Sequence, residues 1–425
     1  MNIQTDRAKV AAGTPAVRFC TVTITAPPAA PVAGRAERAS SNVAFVIDRS
    51  GSMAGSKLEM VKRAVDHALR LLHERDRLAL VCYDHEVDVL LGGAPATGEA
   101  KTMAGARMRA IDARGNTDLS AGWQAGAREL RTIRGSAGSD SVARVLLLSD
   151  GLANQGETNP DALAAGAETL RSEGITTSTF GVGADFDEHL MSRIATAGGG
   201  HFYFIEQAAQ IPDLFTSELG EALDIVARDA QLIVRDTGGA DTECLNEFPV
   251  IRRGDELCIR LGDLTSEQQV TLVLATRIPP QALGDSAGIS LRLADRERVL
   301  FAQPFDVAWQ VVDADADRAQ PINRDVIVAA ATMLAERAKA EALAKNRAGD
   351  FDGARAVLER AIAAIRALGV DVPAVIALIA DLEGAGQAFS LPMDAMASKR
   401  VLYQSYNIRA SRAPSGKANR TPKSS

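Results

Sequence analysis

The segment NVAFVIDRSGSMAGSKLEM carries three oxygen-bearing side chains at spacings of two, Asp48, Ser50 and Ser52, directly after an apolar run. Gly51 allows a tight loop between that run and the helical pattern that follows. Two further loops offer the same chemistry. GNTDLSAG presents Thr117 after a Gly-Asn turn, and RVLLLSDGLANQG ends a strong apolar run in Asp150. Carboxylates and hydroxyls form a hard oxygen set, which suits Mg²⁺, Mn²⁺ or Ca²⁺ and not the thiolate and imidazole sites of zinc. A lone Ser or Asp after a strand is usually a helix cap; five such residues at three strand ends exceed what capping explains. If they converge, at most five protein oxygens face one cation, and octahedral coordination leaves a position for an outside oxygen. The positive end of the first helix, beginning beside the loop, favours an anion there.

Convergence requires an open α/β sheet, whose strand ends open onto the ligand crevice. From Asn42 to about Arg228 short apolar runs alternate with amphipathic stretches, the pattern of a mainly parallel sheet covered on both faces. Strands are expected at Val43 to Ile47, Leu78 to Tyr83, Val87 to Leu91, Ala143 to Ser149, Thr176 to Val182 and His201 to Ile205. Leu58, Val61, Val65, Ala68, Leu69 and Leu72 recur at helical spacing, with Ser56 and Glu59 placed as a capping box. Further helices are expected near Leu119 to Leu130, Pro160 to Ser172, Glu188 to Ala197 and Ala208 to Val226.

At Asp48, Ser50, Ser52, Thr117 and Asp150 the chain resembles the von Willebrand factor type A family of bacterial type, with every position of its metal-ion-dependent adhesion site matched. The resemblance runs from Asn42 to Val226 and includes FGVGADFDEHLMSRIATAGGGHFYFI. It implies a doubly wound, Rossmann-like sheet and a divalent cation, Mg²⁺ or alternatively Mn²⁺ or Ca²⁺, bridging to an acidic residue of a partner protein. It also implies adhesion or assembly without turnover, and in some bacterial relatives the partner is an AAA-type ATPase. Arg49 fills a variable position of the motif and reads as a solvated side chain, or alternatively as a selector of acidic partners.

Catalytic readings fare worse. A Mg²⁺-dependent phosphohydrolase of the haloacid dehalogenase type needs a second carboxylate two residues after the first, and Ser50 stands there. GSMAGSK lacks the Gly-Lys-Ser/Thr ending of a phosphate loop, and Gly181-Val182-Gly183 lacks the third glycine of a dinucleotide fingerprint. His67, His73, His85, His189 and His201 show no paired metal spacing. No residue is assigned a catalytic role.

The remainder of the chain changes period. From Ala230 to Val312 alternation of two predicts an antiparallel β-sandwich-like domain over 229–312, which the strand around Phe19 to Thr25 completes, with residues 42–228 inserted. Ala26 to Gly34 and DADADRAQP read as linkers. Residues 321–385 read as helical, with a hairpin of Ile322 to Arg347 and Phe351 to Leu368 and a third helix from Pro373. RAGDFDGARAVLERAIAAI resembles one tetratricopeptide-type half-repeat, without the neighbours such repeats need. Residues 386–425 read as a basic, disordered tail.

The net charge of −7 is unevenly spread: seven of the 47 basic residues and none of the 54 acidic ones lie between Lys399 and Ser425, leaving −14 on the rest. An acidic body argues against nucleic-acid binding. An alternative reading gives the function to the helices and tail, with Tyr403 and Tyr406 open to modification and the metal merely structural. Cys20, Cys82, Cys244 and Cys258 form no metal motif, so a reducing compartment is expected. MNIQTDRAKV lacks a secretory core and no run spans a bilayer, so the expected location is the cytoplasm.

Overall fold

The computed structural model describes residues 1–29, 40–137, 141–300 and 303–420, excepting the side chains of 136 and 137. Most of the expected linker at Ala26 to Gly34 lies outside the described residues. The chain divides into two units, one made of Met1–Ala29 with everything from Val226 onward, the other of the intervening segment.

Strands β1 (Asn2–Thr5), β2 (Lys9–Ala11) and β3 (Ala16–Thr25) come first and belong to the discontinuous unit. The intervening unit follows with β4 (Ser41–Asp48), α1 (Ser56–Leu71), β5 (Arg77–Tyr83), β6 (Val87–Pro95), α2 (Gly98–Arg109), α3 (Leu119–Ala137) and β7 (Val142–Ser149). It ends with α4 (Pro160–Ser172), β8 (Ile175–Val182), α5 (Glu188–Ala197), β9 (Gly199–Ile205) and α6 (Ile211–Leu223). Its six-stranded sheet has the order β6-β5-β4-β7-β8-β9, parallel throughout except for the β5–β6 hairpin. Every residue of β4, β7 and β8 is buried, which is why these strands read as unbroken apolar runs and not as alternation.

Helix α1 turns Leu58, Val61, Ala64, Val65, Ala68 and Leu69 inward, as its spacing requires. The expected capping box does not form. Ser56 is already the first helical residue, and Gly55, at φ +80°, makes the turn into the helix without a side-chain cap. Helix α2 has no sequence expectation behind it; it buries only Ala104, Gly105 and Met108 and so carries almost no apolar stripe. Helix α3 approaches the sheet closely because Gly122 and Gly126 lack side chains: a Cβ at Gly122 would lie 2.4 Å from the Tyr83 ring, and one at Gly126 2.4 Å from Val46.

In the other unit the chain continues through β10 (Ile225–Thr237), β11 (Asp241–Cys244), β12 (Val250–Arg253), β13 (Glu256–Thr265), β14 (Gln269–Ile278), β15 (Ser286–Ala294) and β16 (Phe305–Val312). Two sheets, β1-β3-β14-β11 and β12-β13-β10-β15-β16-β2, enclose a core that includes Val22, Leu232, Ile259, Leu272, Leu291 and Trp309. β3 pairs with β14 along its whole length, from Ala16 opposite Ile278 to Thr25 opposite Gln269.

The helical region comprises α7 (Ala314–Ala319), α8 (Arg324–Arg347), α9 (Phe351–Ala367), α10 (Pro373–Ala388) and α11 (Ala395–Arg409). DADADRAQP is therefore not a plain linker, because Asp313 caps α7 by accepting from the Ala316 amide. The stretch read as a disordered tail is also ordered through Arg420. α11 packs Leu402 into the helical core, and the following segment returns to the β-sheet, where Gln269 N donates to Asn419 O at 2.8 Å and Thr271 N to Ser411 Oγ at 2.8 Å. Its apolar residues are spread among basic ones, which hid the helix from a reading based on composition. Tyr403 and Tyr406 are buried, so they are not exposed modification sites. All four cysteines are free, with Cys244 and Cys258 on different sheets. No described helix is long and apolar enough to cross a membrane.

Candidate metal centre

In the sheet of the intervening unit the chain runs outward from β4 in both directions, to β5 on one side and β7 on the other. The crevice between the carboxyl ends of β4 and β7 is thus a topological switch point, the place where open α/β sheets bind ligands. Asp48 is the last residue of β4, and Asp150 immediately follows β7.

The side chains meet there. Asp48 accepts from the Ser50 amide through Oδ1 at 2.7 Å and from Ser149 Oγ through Oδ2 at 2.6 Å. Ser50 Oγ and Ser52 Oγ lie 3.1 Å apart, and Ser52 Oγ donates to Asp150 Oδ1 at 2.7 Å. Thr117 faces the same point: a Cβ placed on Gly151 would sit 3.2 Å from Thr117 Oγ1 and 3.5 Å from Ser52 Oγ. All five expected residues are therefore gathered at one crevice. Both aspartates are fully buried. Burial pushes the Asp48 carboxyl up to about 6; hydrogen bonds from Ser149 and Ser50 oppose this, and the negative charge of Asp150 adds to it.

The loops are braced by a charge cluster that sequence reasoning missed. Arg49 is neither solvated nor turned toward a partner. It is buried, donating from Nε to Asp84 Oδ2 at 2.9 Å and from Nη2 to Asp88 Oδ2 at 2.5 Å. Arg114 Nε shares Asp84 Oδ2 at 2.9 Å. Backbone bonds complete the brace, with Arg114 N donating to Arg49 O and Asp118 N to Asp84 O, both at 2.8 Å. Burial raises the Asp84 carboxyl, but the Glu86 amide and the Arg114 and Arg49 guanidiniums outweigh it, and the net shift is downward. The loop bearing Asp48, Ser50 and Ser52 is thereby tied to the loop bearing Thr117.

Two other residues at the site also escaped the sequence reading. Ser149 orients Asp48, and Lys57 Nζ donates to Asp150 Oδ2 at 2.5 Å. The run LLLSDG gave a cue to Ser149 in its position before Asp150; nothing local marks Lys57. Among the described residues, two further groups combine a histidine with carboxylates, Asp84–His85–Glu86 within the brace and His201–Glu218–Glu221 away from it. Arginines balance both: Arg49 and Arg114 hold Asp84, and Arg144 Nη1 lies 2.6 Å from Glu218 Oε1.

A doubly wound α/β unit with an oxygen-lined crevice at its switch point defines the class. Residues 42–217 match the family model of the von Willebrand factor type A domain, and the chain carries such a domain there. The uncharacterized protein YfbK of Escherichia coli (strain K12) is 30% identical over 199 residues, covering 46% of this chain and 33% of its own length. The chain thus spans about a third of that relative. The uncharacterized protein sll0103 of Synechocystis is 26% identical over 340 residues, covering 75% of this chain and 77% of its own. Among solved structures, von Willebrand factor type A from Catenulispora acidiphila superposes with a TM-score of 0.70 at 19% identity, covering 99% of this chain and 97% of that one, and so shares its fold.

Proposed function

We propose that Asp48, Ser50, Ser52, Thr117 and Asp150 hold a divalent cation, Mg²⁺ before Mn²⁺ or Ca²⁺, which bridges to an acidic residue of a partner protein. The chain acts as a scaffold and breaks no bonds. The observation that carries this reading is the run of hydrogen bonds from the Ser50 amide to Asp48 Oδ1, between the Ser50 and Ser52 hydroxyls, and from Ser52 Oγ to Asp150 Oδ1, each 3.1 Å or less. The donor set is hard and anionic, as Mg²⁺ requires. Two buried carboxylates in one crevice repel one another, and a divalent cation supplies the charge that holds both ionised. In that arrangement the cation offers an open coordination position to an incoming carboxylate. Four free cysteines fit a reducing compartment such as the cytoplasm.

The test is a lysate pull-down with crosslinking and mass spectrometry on three samples: wild type in Mg²⁺, wild type in EDTA, and folded Asp48→Ala in Mg²⁺. A protein retained only by the first supports the bridge. Partners retained equally in all three contradict it.

A further inference from the structure

Lys57 is the second residue of α1 and stands in the first turn of the helix, an unfavourable place for a cation because it faces the positive end of the helix dipole. Residues that break a local rule are expected where function compensates. Here the side chain leaves the helix surface and reaches the crevice. Its Nζ bonds Asp150 Oδ2, while the other oxygen of Asp150 accepts from Ser52. The ammonium passes close to Gly183, whose φ is +79° and on which a Cβ would lie 3.5 Å from Nζ. Arg49, the nearer cation in sequence to Asp48, is committed to Asp84 and Asp88. Among the described residues, Lys57 is thus the side-chain cation bonded to a carboxylate of the site.

We infer that Lys57 is a tethered competitor for Asp150 that weakens binding of the bare cation and selects an anionic partner for the loaded site. The inference rests on the divalent-cation reading above. Two carboxylates and one divalent ion are neutral together, so Lys57 leaves the loaded crevice with one net positive charge. That excess favours a carboxylate at the open coordination position over water or a neutral carbonyl. Cation and partner then bind cooperatively, because the partner's negative charge offsets the repulsion between Lys57 and the metal.

Calorimetric titration of Mg²⁺ into the full chain tests this with wild type, Lys57→Met, Lys57→Gln, Lys57→Arg and Asp150→Asn. Loss of the charge in Met and Gln is expected to tighten Mg²⁺ about tenfold, equivalent to about 1.4 kcal/mol, while Arg stays near wild type. Acetate, used as the carboxylate probe on Mg²⁺-loaded protein, is expected to bind Lys57→Met and Lys57→Gln more weakly than wild type. Unchanged or weaker Mg²⁺ binding in both neutral variants overturns the inference. If wild type binds Mg²⁺ and Asp150→Asn does not, the cation reading stands, and unchanged or weaker binding in the neutral Lys57 variants then removes the Lys57 role alone. If wild type itself shows no saturable binding, the cation reading falls and takes the inference with it.

Discussion

Replacing Asp84 with Asn leaves two guanidiniums facing a neutral amide where one carboxylate stood. The Asp84 side chain is fully buried, that of Arg49 is 7% exposed and that of Arg114 50% exposed. Removing one partner of a buried ion pair costs about 3–5 kcal/mol. Arg49 retains Asp88, itself half exposed, which offsets part of that loss; the Arg114 pair, open to solvent, adds well under 1 kcal/mol. The expected loss is therefore about 2–3 kcal/mol, or a fall of roughly 4–12 °C in Tm for a unit of this size. The chain has two tryptophans, Trp123 in α3 of this unit and Trp309 in β16 of the other. Fluorescence in a Trp309→Phe background thus reports the relevant transition alone. The pH dependence has a defined sign. Because the folded-state carboxyl is lowered from 3.8, its stabilisation is present above that value and is lost as pH falls through the lowered one. The gap between wild type and Asp84→Asn should be full at pH 7 and shrink below about pH 3.8. A gap under about 0.5 kcal/mol at pH 7, or one that persists unchanged in acid, would refute the brace.

Three other outcomes follow from particular contacts. Gly151→Ala places a methyl beside Thr117 Oγ1 and Ser52 Oγ, so Mg²⁺ affinity should fall at least about tenfold in a titration while Tm moves little. Gly122→Ala drives a Cβ into the Tyr83 ring between α3 and β5; urea unfolding should show a loss of about 1–3 kcal/mol. Truncation after Ser398 removes Leu402 from the helical core together with the buried Tyr403 and Tyr406, and should destabilise the discontinuous unit by several kcal/mol on heating, whereas deletion of a free tail would leave its transition in place.

Where sequence alone succeeded and failed has physical causes. Strands buried on both faces announce themselves through apolar runs, so β4, β7 and β8 and the residues at their ends could be placed from composition and spacing. Helix α1 was equally clear from its stripe. Helix α2 was not, since a helix burying only Ala104, Gly105 and Met108 has no periodic signature. α11 was obscured by its basic residues, although Lys399 itself is buried. At the site, Asp48, Ser50 and Ser52 were readable because their spacing is local. The link of Arg49 to Asp84, and that of Lys57 to Asp150, are contacts across 35 and 93 positions. No pattern confined to one loop encodes them. Arg49 shows the limit most plainly: adjacent to the motif, it reads as a solvent-facing group until the β5–β6 hairpin is seen closing over it.

The most direct measurement is Mn²⁺ binding followed by electron paramagnetic resonance, with wild type, Asp48→Ala and Asp150→Ala compared after circular dichroism confirms that each is folded. One Mn²⁺ per wild-type chain, displaced by Mg²⁺, is expected, with no comparable site in either variant. Equal Mn²⁺ uptake by all three proteins would contradict it, because the oxygens at the ends of β4 and β7 would then not be holding the ion.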